Sequence, residues 1–202
     1  MKFRRLGYFG GTFDPPHLGH EMLAMEAYYQ LNLDAVFWLL TPDPPHKAER
    51  KITPVDARAA MVRLVTNRYE EFHLSELDLK RSPPYYAADT VEIIKEEQPD
   101  LDLVYIIGED SLHDLPVWHD PERFLTAIDQ LAVAPRPGFN SDLASISKIL
   151  PGIEKKTVFL SGIMVEISSS LIRERIGQGY HCKHFLDESV AAYIMNTHLY
   201  PD

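Results

Sequence analysis

Short apolar segments alternate with segments of helical periodicity along most of this chain, and this alternation constrains the fold more than any other feature. Residues 35–40 are almost all apolar, as in a strand covered on both faces, and residues 101–107 form the clearest strand. Strands and helices that alternate in this way build β-α-β units around a mainly parallel sheet. The sequence therefore predicts an α/β fold with ligands at the edge where the strands end.

Periodicity and capping signals give the bounds of the other elements. Apolar positions in residues 18–31 have helical spacing, and a second helix over 54–67 begins with Pro54, for which Thr53 is the expected N-cap. Residues 72–79 alternate like a strand. The remaining predicted elements are a helix over 86–97 and a strand over 131–134, followed by a surface excursion over 134–152.

Composition narrows the class of protein. The chain has 202 residues, of which 45% are hydrophobic, and this suits a single domain, 1–202, with one core. Its 30 acidic residues outnumber its 20 basic ones, so the net charge of −10 would repel a polyphosphate backbone. We therefore do not expect nucleic acid as a partner.

Cysteine usage and hydropathy indicate the compartment. The single cysteine, Cys182, cannot form an internal disulfide, which suits the reducing cytosol. Basic residues near the N-terminus lead into glycines and prolines instead of an apolar stretch, so we expect no signal peptide. No run of about 18 apolar residues is present either. The expectation is a cytoplasmic protein that does not contact membranes.

The first candidate site follows the first predicted strand and leads into a helix. Gly10 and Gly11 would let backbone N–H groups approach an anion, and the helix that begins near His17 offers its positive end. His20 lies one turn on, and Gly19 removes a side chain that would crowd a phosphate. Two alternatives stay open: an ordinary turn with surface histidines, and a zinc site completed by His46.

The second candidate site lies where a β-rich segment passes into a helix, at Ile167-Ser168-Ser169-Ser170-Leu171-Ile172-Arg173. A free helix N-terminus, serine hydroxyls and Arg173 together could bind the β- and γ-phosphates of a nucleotide. Serines also cap helices commonly, so a purely structural role is the alternative.

Taken together, the two sites resemble those of a known family. Gly10-Gly11-Thr12-Phe13-Asp14-Pro15-Pro16-His17-Leu18-Gly19-His20 resembles the motif of nicotinate mononucleotide adenylyltransferases, in the nucleotidyltransferase superfamily with the H-x-G-H signature. Residues 167–173 resemble that family's I-S-S-T-x-x-R, with Ser170 in place of Thr. The resemblance implies a Rossmann-like, doubly wound sheet with helices on both faces and a small C-terminal helical segment.

The resemblance also implies roles for residues of the ATP site, which would come from 7–20 and 165–175. Charge on the transferring phosphate would be stabilised by four side chains: His17, His20, Lys47 and Arg173. ATP would be bound by Gly10, Gly11, Thr12, Phe13, Gly19, Gly108, Asp110, Ile167, Ser168 and Ser169. In this interpretation Asp110, in a G-x-D-S-L match, accepts ribose hydroxyls.

Four further matches imply an acceptor site built from 41–47, 84–90 and 108–138. Pro44-Pro45-His46-Lys47 resembles a loop over the phosphates, although a proline-rich surface turn is the alternative. Trp118-His119 resembles a pair that stacks on the pyridine, with a buried core tryptophan as its alternative. Arg136, in an R-P-G match, would face the mononucleotide's phosphate. The match at Tyr86-Ala87 departs from the usual Tyr-Thr, and Thr41-Pro42-Asp43 departs from a turn with Asn or Gly.

By this resemblance the chain is an enzyme that transfers the adenylyl group of ATP, with Mg²⁺ on the phosphates, to nicotinate mononucleotide in NAD synthesis. The acceptor could instead be nicotinamide mononucleotide or phosphopantetheine. A nucleotide sensor without turnover is a third possibility, and a homo-oligomer is possible. The sequence assigns no protein metal ligand and no role to Cys182.

Overall fold

A computed structural model describes residues 3–43, 52–162 and 166–201. Six strands form one sheet in the order β3-β2-β1-β4-β5-β6, and all neighbouring pairs are parallel. The strands are β1 Arg5–Gly11, β2 Ala35–Leu40, β3 Phe72–Ser75, β4 Asp102–Gly108, β5 Gln130–Ala134 and β6 Thr157–Phe159. The chain runs outward from β1 in one direction and then from β4 in the other, as in a doubly wound fold.

Helices cover both faces of this sheet. Their bounds are α1 Leu18–Gln30, α2 Val55–Thr66, α3 Ala87–Glu97, α4 Glu109–Asp114, α5 Pro121–Ala127, α6 Leu143–Ile149, α7 Ile153–Lys156, α8 Ser169–Gly177 and α9 Glu188–Asn196, with a 3-10 turn at Leu115–Val117. No helix in the described ranges is both long and apolar enough to cross a bilayer.

Each face of the sheet has its own core because side chains alternate along a strand. Phe9 belongs to a cluster with buried residues of α1, α2, α8 and α9. Its neighbour Tyr8 belongs to a second cluster, with buried residues of α3, α5, α6 and α7. The two motifs identified in the sequence therefore lead into helices, α1 and α8, that pack on the same face.

Most predicted elements are confirmed within about one residue, but three expectations are wrong. The strand predicted over 72–79 ends at Ser75, where its register partner Leu39 is one residue from the end of β2. The N-cap of α2 is Pro54, and the side chain of Thr53 is instead a hydrogen-bond partner of Tyr200. The excursion over 134–152 contains α6, which buries Ile146 in the second core.

A buried arginine joins the loops at the carboxyl end of the sheet. Arg58, in α2, is only 1% exposed. Its guanidinium donates to the carbonyls of Thr12 and Thr41 at 2.9 Å each, of Thr53 at 2.8 Å, and of Pro42. Burial lowers the pKa of Arg58, and the nearby carboxylate of Asp14 opposes that shift. One side chain thus fixes the segments that follow β1 and β2 and precede α2.

We expect Arg58→Lys to lower the free energy of unfolding by roughly 2–4 kcal/mol, because an ammonium cannot reach four carbonyls and leaves buried acceptors unpaired. Denaturant titration measures the change. Arg63→Lys is the matched control on the same helix, since Arg63 is half exposed and pairs with Glu76, and it should change stability by less than about 1 kcal/mol. Equal losses in both variants would contradict this role for Arg58.

Candidate active site

A cavity of about 740 Å³ opens at the carboxyl ends of β1 and β4, where the strand order reverses. Both sequence motifs line it, although they are about 150 residues apart in the chain. The predicted site residues around it are Gly10, Gly11, Thr12, Phe13, His17, Gly19, His20, Gly108, Asp110, Arg136, Ile167, Ser168, Ser169 and Arg173.

The two histidines cap α1 reciprocally. The backbone N–H of His20 donates to Nδ1 of His17 at 3.3 Å, and the backbone N–H of His17 donates to Nδ1 of His20 at 3.2 Å. The two rings stack with centroids 3.6 Å apart. Because each Nδ1 accepts a hydrogen bond, each neutral imidazole carries its proton on Nε2. The capping geometry thus places the proton of each neutral ring on Nε2.

The first turn of α1 also offers a backbone donor. The N–H of Leu18 donates to the carbonyl of Phe185 at 3.0 Å, whereas the N–H of Gly19 has no partner among the described residues. A Cβ at position 19 would lie 3.1 Å from the His17 ring. Glycine here therefore both leaves the helix N-terminus open and accommodates the stacked histidines.

The two glycines that end β1 have a packing role that the sequence did not reveal. A Cβ at Gly11 would lie 2.7 Å from the ring of Phe13, and one at Gly10 would lie 2.5 Å from the hydroxyl of Tyr105. Phe13 is buried and packs edge-on against Phe9. Although it borders the cavity, its ring belongs to the core.

The start of α8 is bonded directly to the first motif. Arg173 donates from Nη1 to the carbonyl of Asp14 at 2.6 Å, and the Ser169 hydroxyl donates to the carbonyl of Pro15 at 2.9 Å. Ser168 caps α8 by accepting from the N–H of Leu171 at 3.2 Å. Ser168 therefore has the purely structural role that the sequence left open as an alternative. Ser169 and Arg173 instead connect the second motif to the first.

The electrostatics of the cavity favour a neutral His17. Burial lowers the pKa of His17 to about 3, and the positive charge of Arg136 acts in the same direction. His17 is 5% exposed. The imidazole is therefore uncharged at neutral pH and can serve as a hydrogen-bond donor.

Acidic side chains at the other wall of the cavity are paired. Arg136 forms an ion pair with Asp110, and its backbone N–H donates to Glu109 at 3.2 Å. The Glu109 carboxylate also accepts from the N–H of Ser141 at 2.8 Å. The two residues expected to contact ribose and phosphate, Asp110 and Arg136, thus contact each other.

The other expected acceptor residues lie apart from this cavity. Tyr86, the N-cap of α3, stacks on His119 with ring centroids 3.8 Å apart. Trp118 is partly buried and packs edge-on against Phe124, beside the second core. Ala87 is the first residue of α3. None of these four borders the cavity in the described parts of the chain, and His46 and Lys47 lie outside the described residues.

Sequence reasoning missed one buried carboxylate in the cavity wall. Glu21, next to His20, is 4% exposed and accepts from Arg68 at 3.0 Å and from the Tyr69 hydroxyl at 3.1 Å, while its Oε1 has no hydrogen-bond partner among the described residues. Burial raises its pKa, and the charge of Arg68 opposes the shift. The sequence did contain a signal for this buried carboxylate: an acidic residue directly follows the second histidine, on a helix that must pack on the sheet.

No group of three or more His, Cys, Asp or Glu within residues 3–43, 52–162 and 166–201 could hold a metal ion. The zinc hypothesis also requires His46, which lies outside these ranges.

The low pKa of His17 makes stability depend on pH. The unfolded chain binds a proton near pH 6.5 and the folded chain only near pH 3, so stability should be complete above pH 6.5 and fall as the pH drops toward 3. His17→Asn keeps a good N-cap but does not titrate. Between pH 7 and pH 5, denaturant titrations should show wild type losing about 2 kcal/mol more than this variant. Parallel losses would contradict the buried, neutral imidazole.

Comparisons with known proteins identify the family. A cytidylyltransferase-like family model matches residues 8–175. A probable nicotinate-nucleotide adenylyltransferase of Thermomicrobium roseum is 38% identical, covering 97% of this chain and 91% of that protein. One of Bacillus anthracis is 39% identical, covering 98% of both.

A solved structure supports the fold. The nicotinic acid mononucleotide adenylyltransferase of Plasmodium falciparum, complexed with NaAD, superposes with a TM-score of 0.78 at 21% identity, covering 98% of this chain and 97% of that one. Both motifs lie within or at the end of the segment that the family model matches, and the bacterial relatives extend over nearly the full chain. The chain therefore belongs to the cytidylyltransferase-like family and, within it, to the nicotinate-nucleotide adenylyltransferases.

Proposed function

We propose that this enzyme transfers the adenylyl group of ATP to nicotinate mononucleotide, giving nicotinate adenine dinucleotide and pyrophosphate. The observation that carries the proposal is the meeting of two anion-binding helix starts, α1 and α8, in one cavity at the switch point of the sheet. The names of relatives at 38–39% identity over nearly the whole chain support the choice of acceptor.

The chemistry needs no protein nucleophile. A phosphate oxygen of the acceptor attacks the α-phosphorus of ATP in line, the new P–O bond forms, and the bond to the β-phosphate oxygen breaks to release pyrophosphate. The enzyme would contribute position and charge neutralisation. The groups that we propose for this role are the imidazoles of His17 and His20, the N–H of Gly19 and the guanidinium of Arg173.

Magnesium fits this cavity as a companion of ATP. Asp14 and Asp110 border the cavity, but Asp14 accepts from Thr53 and Tyr200, and Asp110 pairs with Arg136. Such a site suits Mg²⁺, which is commonly bound through substrate phosphates, waters and few carboxylates. When bound, the ion would neutralise phosphate charge. We assign no described residue as its ligand.

On the acceptor side, we propose that the nucleotide extends from the cavity toward the N-terminus of α3. Arg136 is the cation at the boundary, and the stacked rings of Tyr86 and His119, with Trp118 beside them, provide aromatic surface for a pyridine. Ala87 has no hydroxyl, so the backbone N–H groups at the start of α3 would carry the contact to the substrate's carboxylate. We also propose that the enzyme acts in the cytoplasm, where these small nucleotides would be its substrates.

The acceptor is tested by supplying ATP and Mg²⁺ with nicotinate mononucleotide, nicotinamide mononucleotide or phosphopantetheine and measuring pyrophosphate release. We expect the highest kcat/KM with nicotinate mononucleotide, because its carboxylate can bind the backbone N–H groups at the start of α3. A higher value for either other acceptor would reassign the substrate. ATP binding without turnover for any acceptor would support a sensor instead.

His20 is tested by His20→Gln, because glutamine at the third helical position can preserve the capping box of α1 while removing the imidazole. We expect kcat to fall by roughly 10²–10³, the usual loss when a donor to transition-state charge is removed. The free energy of unfolding should change by less than about 1 kcal/mol. A variant with the kcat of wild type would refute a role in the chemical step.

A further inference from the structure

The C-terminal end of the described chain returns to the first phosphate-binding loop. The hydroxyl of Tyr200 donates to Oδ1 of Asp14 at 2.8 Å, across 186 positions of sequence. Burial and the charge of Asp14 raise the pKa of Tyr200, so the phenol remains protonated and can donate. Thr53 is a further hydrogen-bond partner of the same phenol.

Asp14 connects Tyr200 to the ATP site, because it is bonded to both Tyr200 and Arg173. Its side chain is 4% exposed, and its Oδ2 accepts from the N–H of Thr53 at 3.2 Å. Its backbone carbonyl accepts from Nη1 of Arg173 at 2.6 Å. The carboxylate is therefore held by Tyr200 and Thr53, while the carbonyl of the same residue determines where the guanidinium lies.

The backbone between the end of α9 and Tyr200 adopts an unusual conformation. After α9, the N–H of His198 donates to the carbonyl of Met195, and that of Leu199 donates to the carbonyl of Ile194, as in a Schellman C-cap. His198 has φ 51° and Tyr200 has φ 60°, in the left-handed region that bulky residues rarely adopt. Such conformations persist where surrounding contacts hold them, and the bond to Asp14 is one such contact.

We propose that Tyr200 is a positioning residue for ATP: its hydrogen bond to Asp14 holds the loop carbonyl that orients the guanidinium of Arg173 toward the triphosphate. The inference rests on the proposed function for the identity of the nucleotide. Tyr200 acts through Asp14 and does not itself contact substrate. Removing its hydroxyl should therefore weaken ATP and leave the acceptor unaffected.

The test compares wild type with Tyr200→Phe, which removes one hydroxyl and retains the ring. Isothermal titration calorimetry of ATP in excess Mg²⁺ should show a Kd higher by roughly five- to twentyfold, because a hydrogen bond to a buried carboxylate is lost. In steady-state assays the KM for ATP should rise in the same proportion. The KM for nicotinate mononucleotide should stay within about twofold, since none of the side chains expected to bind it (Tyr86, Trp118, His119 and Arg136) contacts Tyr200, Asp14 or Arg173 in the described parts of the chain.

Tyr180→Phe is the matched control, because Tyr180 belongs to the same C-terminal segment and is 64% exposed. It should bind ATP like wild type. Asp14→Asn tests the same bond from the other side and should also weaken ATP. Combining it with Tyr200→Phe should give less than the product of the two separate effects if both act through one contact.

An unchanged Kd for ATP in folded Tyr200→Phe would overturn the inference, even if its thermal stability fell, because a purely structural anchor predicts that result. A rise in KM for both substrates would overturn it as well. Failure of the proposed function is distinguishable: wild type would then bind no ATP, or would bind ATP without using nicotinate mononucleotide. In the latter case the calorimetric comparison still decides the role of Tyr200.

Discussion

Two hydrogen bonds between the start of α8 and the loop after β1 hold the active site together. Arg173 and Ser169 donate to consecutive carbonyls, those of Asp14 and Pro15, so the two halves of the cavity are joined through backbone atoms. The parallel sheet makes this possible because it brings the segments that follow its strands to one edge, and α1 and α8 pack on the same face there. Neither motif could form the cavity alone.

The chain is acidic, yet it can bind an anionic substrate because the carboxylates near the cavity are paired with other side chains. At the cavity, Asp110 is paired with Arg136, and Asp14 with the hydroxyl of Tyr200. Glu21 has one oxygen that no described residue contacts by a hydrogen bond, and burial raises its pKa. A triphosphate would therefore meet donors and few bare carboxylates, although acidic residues outnumber basic ones by ten in the whole chain.

Features governed by local sequence were predictable, whereas those that depend on distant contacts were not. The alternation of apolar segments gave β2 without error, and the spacing of His17 and His20 indicated their common helix turn. By contrast, Thr53 does not cap α2, because its side chain is a hydrogen-bond partner of Tyr200 while its backbone N–H donates to Asp14. These contacts cross the fold, and a single sequence contains no local signal for them.

The reciprocal capping of α1 has a consequence for mutational studies of such sites. The same two imidazoles that would meet the nucleotide also cap the helix, because each Nδ1 accepts a backbone N–H of its first turn. A screen that scores only cellular growth cannot separate lost turnover from lost protein when either ring is replaced. Growth of such variants would therefore depend on both the amount of folded protein and its turnover. Only replacements that keep a side-chain acceptor for the backbone N–H groups of α1 report on turnover alone.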